Sequence, residues 1–135
     1  MIVVDSSALI AILLQEPDAD RFATRIAVED KCLISAANYV ETGQVFVQRL
    51  RLAREVTLAR FLMLLEQSNI GIAPIDEAQA RTALEARLVY GRGFGHRAGL
   101  NYSDCFAYAL AKVRNLPLLY KGDDFTHTDI VSALA

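Results

Sequence analysis

The chain of 135 residues contains only two cysteines and two histidines. Cys32 and Cys105 lie far apart in apolar stretches, without the close spacing of cysteine metal ligands. Their number and placement exclude a disulfide framework and a cysteine-based metal site. We therefore predict two buried free thiols in a reducing cytosol.

Long hydrophobic runs are also absent, although hydrophobic residues make up 53% of the chain. The longest uninterrupted apolar segment, residues 8–14, is far shorter than the roughly 20 residues that a membrane-spanning helix needs. The N-terminus has no basic region, and Asp5 interrupts the apolar stretch that a secretory signal requires. We expect no membrane contact and a cytoplasmic location.

No excess of positive charge is present, because 14 Lys and Arg residues face 16 Asp and Glu residues. Any nucleic-acid binding must therefore come from a local basic patch. The phosphate-binding pattern GxxxxGK[ST] is missing. Residues 91–99 are rich in glycine, but no strand precedes them and His96 replaces the last glycine of GxGxxG. They predict a mobile surface loop that carries Arg92 and Arg97.

Short apolar strands alternate with amphipathic helices along the whole chain. We predict strands at residues 2–4, 31–35, 70–75 and 116–120, with helices between them and an edge strand or final turn at residues 129–135. This alternation predicts an α/β fold. It is a three-layer sandwich with a central, mostly parallel sheet of four to five strands flanked by helices. No linker or repeat divides it, so we expect one domain spanning residues 1–135.

Acidic residues follow several of these strands or begin the helices after them. Asp5 follows the first strand, Glu41 lies in the first turn of the helix after the second, Asp104 begins a later helix, and Asp123 and Asp124 follow the last strand. In a parallel sheet all these places share one edge. Two carboxylates about 4 Å apart repel by roughly 4 kcal/mol at an effective dielectric constant near 20. Oxygen ligands without a nearby histidine indicate Mg²⁺ or Mn²⁺ as the compensating cation.

Each acidic residue also has a purely structural interpretation. Asp5 can cap the first helix, a function that Ser6 or Ser7 can also serve, and Glu41 stands three residues after Asn38, as in a capping box. Similarly, Asp104 can complement a helix dipole beside a capping Ser103, and Asp123-Asp124 after a glycine is ordinary turn chemistry. The convergence of all of them at one sheet edge favours a functional site.

Three motifs in this order resemble the PIN-domain family, and within it the VapC-type toxins of bacterial type II toxin–antitoxin pairs. They are VVDSSAL at residues 3–9, NYSDCFAYALA at residues 101–111 and LLYKGDDF at residues 118–125, with Glu41 between the first two. The resemblance implies a Mg²⁺- or Mn²⁺-dependent endoribonuclease, usually dimeric and held inactive by a cognate VapB-type antitoxin.

The resemblance also implies roles for individual residues. Metal coordination and catalysis fall on Asp5, Glu41 and Asp104. The fourth acidic position falls on Asp123 or Asp124, and we prefer Asp124. Ser6 corresponds to a hydroxyl residue that supports the metal site and substrate.

The basic residues near these motifs are candidates for contacts with the RNA phosphates. We predict such contacts for Arg92, Arg97 and Lys121, and also consider Lys112 and His96, although His96 is better interpreted as a loop residue. The broad apolar stripe at residues 58–65 predicts a homodimer surface or an antitoxin groove, with core packing as the alternative.

Other functions remain open from the sequence. A haloacid-dehalogenase-like phosphatase also places an aspartate after its first strand, but it uses a second aspartate two residues later, where this chain has Ser7. A non-catalytic metal-binding α/β module and a nuclease that acts on DNA are the remaining alternatives.

Overall fold

The computed structural model describes residues 1–134 and consists of four strands and six α-helices within them. In chain order these are β1 (Ile2–Val4), α1 (Ser6–Leu13), α2 (Ala19–Ala27), β2 (Cys32–Ser35), α3 (Ala36–Arg49), α4 (Arg54–Gln67), β3 (Ile70–Ala73), α5 (Glu77–Tyr90), α6 (Tyr102–Arg114) and β4 (Leu118–Leu119), followed by a 3₁₀-helix (Asp124–His127). The strands form one sheet in the order β3-β2-β1-β4, and all three neighbouring pairs are parallel.

The sheet lies between two layers of helices. Along β1, Val3 points into a core shared with α5 and α6, whereas Ile2 and Val4 point into a core shared with α1 to α4. All three residues are buried, because a strand covered on both faces has no side exposed to water. The predicted three-layer α/β fold with a parallel sheet is therefore confirmed.

The strand order reverses direction at β1, and this reversal fixes where a site can form. The chain passes from β1 through α1 and α2 to β2 and then to β3 on one side, and it returns through α5 and α6 to β4 on the other side of β1. The backbone N–H of Asp5 donates a 2.9 Å hydrogen bond to the carbonyl of Leu119, so the two strand ends stay together. In open α/β sheets, ligands bind at such a switch point, outside the carboxyl ends of the strands.

Several predicted element boundaries shift in the structure. Strand β4 has two residues rather than five, because Pro117 has no N–H to donate, although its carbonyl accepts a 3.0 Å hydrogen bond from Val3. Strand β3 ends at Ala73, directly before Pro74. In the predicted tail, Ser132 forms a single parallel bridge with Leu118, while residue 135 lies outside the described residues.

The buried faces of the helices are not simply their most apolar faces. In α3 the buried residues include Asn38, Thr42 and Phe46, whereas the apolar Val40 is 62% exposed. In α5 Leu84 and Leu88 are also exposed. The Asn38 amide bonds to Ser6 and Ser103 on other segments, which places a polar side chain in the interior.

The state of the two cysteines and the apolar length of the helices can be compared directly with the structure. Cys32 and Cys105 are free and buried, as predicted, and burial raises the pKa of each thiol to about 11. Between residues 1 and 134, none of the helices combines the length and the apolar character needed to cross a bilayer.

Candidate active site

Asp5 lies at the centre of the switch point, at the carboxyl end of β1, with only 2% of its surface exposed. It is also the N-cap of α1, because its Oδ2 accepts hydrogen bonds from the backbone N–H of Ser7 at 3.0 Å and from the Ser7 hydroxyl at 2.6 Å. Its Oδ1 is buried and has no hydrogen-bond partner within residues 1–134. The alternative prediction of a cap by Ser6 or Ser7 is wrong.

Glu41 reaches the same sheet edge from the second turn of α3. The hydroxyl of Ser103, on α6, donates a short hydrogen bond to Oε2 of Glu41. The predicted capping box between Asn38 and Glu41 is wrong, because α3 begins earlier, with Ser35 as its N-cap, and Asn38 lies inside the helix.

Asp104 comes from the first turn of α6, where it closes a capping box with Asn101. The backbone N–H of Asp104 donates to Oδ1 of Asn101 at 2.8 Å, and the backbone N–H of Asn101 donates to Oδ2 of Asp104 at 2.9 Å. The N-cap is therefore Asn101 rather than the predicted Ser103. Because Asn101 caps the helix, the Ser103 hydroxyl is available to donate a hydrogen bond to Glu41.

The pKa values indicate that the carboxylates act on one another. Burial raises the pKa of Asp5 to about 6, with a further contribution from the charge of Glu41 and an opposing one from the Ser7 hydrogen bonds. Burial raises the pKa of Asp104 to about 7, and the charges of Asp5, Glu41 and Asp124 raise it as well. The charges of side chains from four separate segments of the chain therefore act on one another at this edge of the sheet.

Of the two consecutive aspartates after β4, Asp124 is the one whose charge raises the pKa of Asp104. Asp123 instead lines an adjacent open cavity of about 420 Å³, together with Asp18, Arg21 and Lys121. Both aspartates are exposed. This difference in surroundings favours Asp124 as the fourth member of the site.

The donor set fits a hard divalent cation. Its members are carboxylate oxygens, and one of them, Oδ1 of Asp5, is buried without a partner beside other negative charges. No group of three or more His, Cys, Asp and Glu side chains within residues 1–134 is arranged closely enough to hold a metal ion. Two of these carboxylates instead accept hydrogen bonds from neighbouring groups. Glu41 accepts one from the Ser103 hydroxyl, and Asp104 accepts one from the backbone N–H of Asn101.

Three polar side chains that we did not assign to the site connect the segments that carry its acidic residues. They belong to Ser7, Asn38 and Ser103. The Ser7 hydroxyl bonds to Asp5 and accepts a 2.9 Å hydrogen bond from the backbone N–H of Lys121. Asn38 is fully buried and reaches Ser6 and the backbone of Ser103. The position of Ser7 and Ser103 beside the acidic residues in the sequence is the only signal that pointed to these contacts.

The predicted substrate-binding residues have different surroundings. Ser6 is buried, and its hydroxyl donates a 3.2 Å hydrogen bond to the backbone carbonyl of Asn38. The ammonium group of Lys121 forms ion pairs with Glu16 at 3.0 Å and Asp18 at 3.1 Å. An RNA phosphate has to compete with these partners, so substrate binding by Ser6 and Lys121 stays a prediction.

The glycine-rich segment is a surface loop, as predicted, that a bridge between Gly91 and Leu100 closes. Arg92 and Arg97 are exposed on it, directly before the helix that carries Asp104. Nδ1 of His96 accepts a 3.0 Å hydrogen bond from the backbone N–H of Ala98, which is a loop contact. Phosphate binding by the two arginines stays a prediction.

Lys112 lies at the other end of α6 from the acidic site. It is eight residues after Asp104, about 12 Å along the helix axis, and its ammonium group forms a 2.7 Å ion pair with Asp129. Lys112 therefore lies away from the acidic site.

Comparison with known proteins defines the class. The family model for the PIN domain matches residues 2–131, and the chain belongs to this family. It is 46% identical over 133 residues to "Ribonuclease VapC28" of Mycobacterium tuberculosis, covering 98% of this chain and 97% of that protein. It is 42% identical over 132 residues to "Ribonuclease VapC" of Mycolicibacterium smegmatis, covering 96% and 98%.

Solved structures agree on the fold. A chain of the VapBC2 structure from Rickettsia felis, bound to a promoter DNA fragment, superposes with a TM-score of 0.75 at 16% identity, covering 98% of this chain and 96% of that chain. The predicted resemblance to the PIN-domain family is thus confirmed, and the phosphatase alternative loses its basis.

Proposed function

We propose that this chain is a divalent-metal-dependent endoribonuclease and the toxin of a VapBC-type toxin–antitoxin pair. The observation that carries the proposal is the buried carboxyl of Asp5 at the switch point, whose Oδ1 has no hydrogen-bond partner within residues 1–134. Burial, together with the charges of Asp5, Glu41 and Asp124, raises the pKa of the nearby Asp104, which supports the same cluster. Such a cluster is unfavourable in a protein without a cation and useful in one that binds a metal and a phosphodiester. The ribonuclease names of relatives at 46% and 42% identity support the same activity.

In this proposal Asp5, Asp104 and Asp124 hold the cation, Mg²⁺ or Mn²⁺, with Glu41 assisting. A bound divalent cation supplies a Lewis acid that stabilises charge on the scissile phosphate and lowers the pKa of water. Asp5 offers its unpartnered Oδ1, because Ser7 keeps Oδ2 in place. Glu41, held by the Ser103 hydroxyl, orients the attacking water and accepts its proton.

The partners follow from the same proposal. An antitoxin or a second copy of the chain covers exposed apolar surface on α3 and α4, where Val40 and Leu62 are 62% and 49% exposed. A 300 Å³ cavity lined by Tyr39, Val40 and Leu58 lies on this surface. We further propose that residues 1–135 work as one nuclease domain in the cytoplasm, which the two free buried thiols favour.

The test is cleavage of a single-stranded RNA by the purified chain, with Mg²⁺, with Mn²⁺ and with a chelator. Wild type and a variant with Asp20→Asn should cleave RNA only when metal is present. Asp20 is an exposed acid in the first turn of α2, so this variant controls for the loss of one surface charge. The variant Asp5→Asn should be folded and inactive.

The outcomes separate the alternatives. Cleavage of DNA but not of RNA under the same conditions would favour the DNA nuclease. Metal binding without turnover of any RNA would favour the non-catalytic module. Full cleavage by Asp5→Asn, or equal cleavage with chelator, would remove the proposed mechanism.

A further inference from the structure

Asn38 is a buried polar side chain whose predicted role as a helix cap is excluded, because α3 begins at Ala36. It lies in the first turn of α3 and has 0% of its surface exposed. Its Nδ2 lies 3.2 Å from the hydroxyl oxygen of Ser6 and 3.1 Å from the backbone carbonyl of Ser103. One amide group therefore contacts two segments that lie 32 and 65 residues away in the chain.

These two contacts connect the elements that carry three of the acidic residues. Ser6 directly follows Asp5, and Ser103 directly precedes Asp104. Glu41 stands three residues after Asn38, on the same face of α3, and receives its own hydrogen bond from Ser103. Asn38 is thus the point where α1, α3 and α6 meet beside the charged site.

The arrangement is costly unless it serves more than packing. A buried amide has to exchange its hydrogen bonds with water for bonds inside the protein, and Oδ1 of Asn38 finds no partner within residues 1–134. An apolar side chain of similar volume avoids this cost. Meanwhile the carboxylates that the three helices bring together repel one another, which favours separation of the helices.

We propose that Asn38 is a positioning residue, whose amide links α1, α3 and α6 and keeps the segments that carry Asp5, Glu41 and Asp104 together at one edge of the sheet, where Asp5 and Asp104 would bind the cation. This inference rests on the proposed function. It assigns to Asn38 no contact with metal or RNA, and it gives a role to a buried amide whose Oδ1 has no partner within residues 1–134. Loss of the amide lets the carboxylates relax away from one another.

Thr42 provides a matched control on the same helix. It is also fully buried, and its hydroxyl donates a 2.7 Å hydrogen bond to the backbone carbonyl of Asn38, one turn earlier. Thr42→Val removes a buried hydrogen bond within α3 and leaves both contacts of the Asn38 amide group in place. Asn38→Leu removes the amide and keeps a similar volume. Both variants are expected to unfold more easily than wild type.

The experiment is calorimetric titration of the full chain with Mn²⁺, alongside urea unfolding and cleavage of RNA. We expect Asn38→Leu to bind Mn²⁺ about tenfold more weakly than wild type, as is typical when the surroundings of metal ligands are disturbed. We expect Thr42→Val to bind Mn²⁺ as wild type does. Cleavage by Asn38→Leu should recover as the Mn²⁺ concentration is raised.

Each result decides something. If Asn38→Leu and Thr42→Val bind Mn²⁺ with equal affinity, Asn38 only stabilises the fold. In that case, Mn²⁺ binding and RNA cleavage by the wild-type chain would still support the proposed function. Wild type that neither binds Mn²⁺ nor cleaves RNA would remove both. If Asn38→Leu does not fold, Asn38→Ser, which keeps a shorter polar group, takes its place: weakened Mn²⁺ binding supports the inference, and unchanged binding overturns it.

Discussion

The hydroxyl of Ser7 donates a 2.6 Å hydrogen bond to Oδ2 of Asp5 and accepts one of 2.9 Å from the backbone N–H of Lys121. A single side chain therefore fixes the central carboxylate and ties it to the turn that leads to Asp124. Because Oδ2 is held in this way, Oδ1 of Asp5 is the oxygen left without a partner among the described residues.

Removing this hydroxyl should weaken the activity more than the fold. We expect Ser7→Ala to lower the rate of RNA cleavage about tenfold and to lower the free energy of unfolding by about 1 kcal/mol. Ser7→Thr keeps the hydroxyl and should restore most of the rate. Cleavage assays and urea unfolding of the two variants provide the measurement, and a wild-type rate for Ser7→Ala would contradict this role.

The two aspartates after β4 should respond differently to neutralisation. Asp124 acts electrostatically on Asp104, whereas Asp123 lines the neighbouring cavity. We expect Asp124→Asn to lower metal-dependent cleavage about tenfold or more and to lower the pKa of Asp104, while Asp123→Asn cleaves within about twofold of wild type. The same RNA assay measures both variants. The reverse order of activities would assign the fourth acidic position to Asp123.

The raised pKa values predict how stability depends on pH in the absence of metal. Asp5 and Asp104 have pKa values of about 6 and about 7 in the fold, raised from an ordinary value of 3.8. The folded chain therefore binds protons more tightly than the unfolded one, so stability falls as the pH rises through this interval.

We expect the metal-free chain to lose about 2 kcal/mol between pH 5 and pH 8, allowing for the partial exposure of Asp104. Mn²⁺ should raise the melting temperature more at pH 8 than at pH 5, because a cation replaces the protons. Asp104→Asn should flatten the pH dependence. Glu29 and Asp129, whose pKa values are lowered by their partners, lose their contribution only below this interval. Stability that rises from pH 5 to pH 8 without metal would contradict the assignment.

The exposed apolar surface of α3 and α4 should be an interface with the antitoxin. Leu58 lines its 300 Å³ cavity and is 38% exposed. We expect Leu58→Asp to weaken binding of the cognate VapB-type antitoxin at least about tenfold, while RNA cleavage by the free chain is unchanged. Leu88→Asp, on α5, changes an exposed leucine outside this surface and serves as the control. Loss of binding in the control alone would place the interface on α5.

The general architecture and the address of the site could be predicted from the sequence, because both depend on local patterns. Apolar strands that alternate with helices determine a parallel sheet, and such a sheet collects the residues after its strands at one edge. The residues that cap α6 and face inward from α3 could not be predicted in this way. Asn38 is buried because its partners come from α1 and α6, and no pattern within α3 contains that information.

The exposure of apolar residues on α4 and α5 could not be predicted from the sequence either. Leu62 and Leu88 occupy helical positions that favour burial, but the sheet and the neighbouring helices already cover other faces of α4 and α5. Periodicity indicates that a helix face is apolar, and only the fold decides whether the chain itself covers it.

The most direct test of the account is the anomalous scattering of Mn²⁺ in a crystal of the wild-type chain grown or soaked near pH 8. We expect a peak bonded to Oδ1 of Asp5 and to a carboxylate oxygen of Asp104, with Asp124 on the same ion. A crystal in which Mn²⁺ binds elsewhere, or in which no Mn²⁺ is bonded to these carboxylates at saturating Mn²⁺, would contradict it.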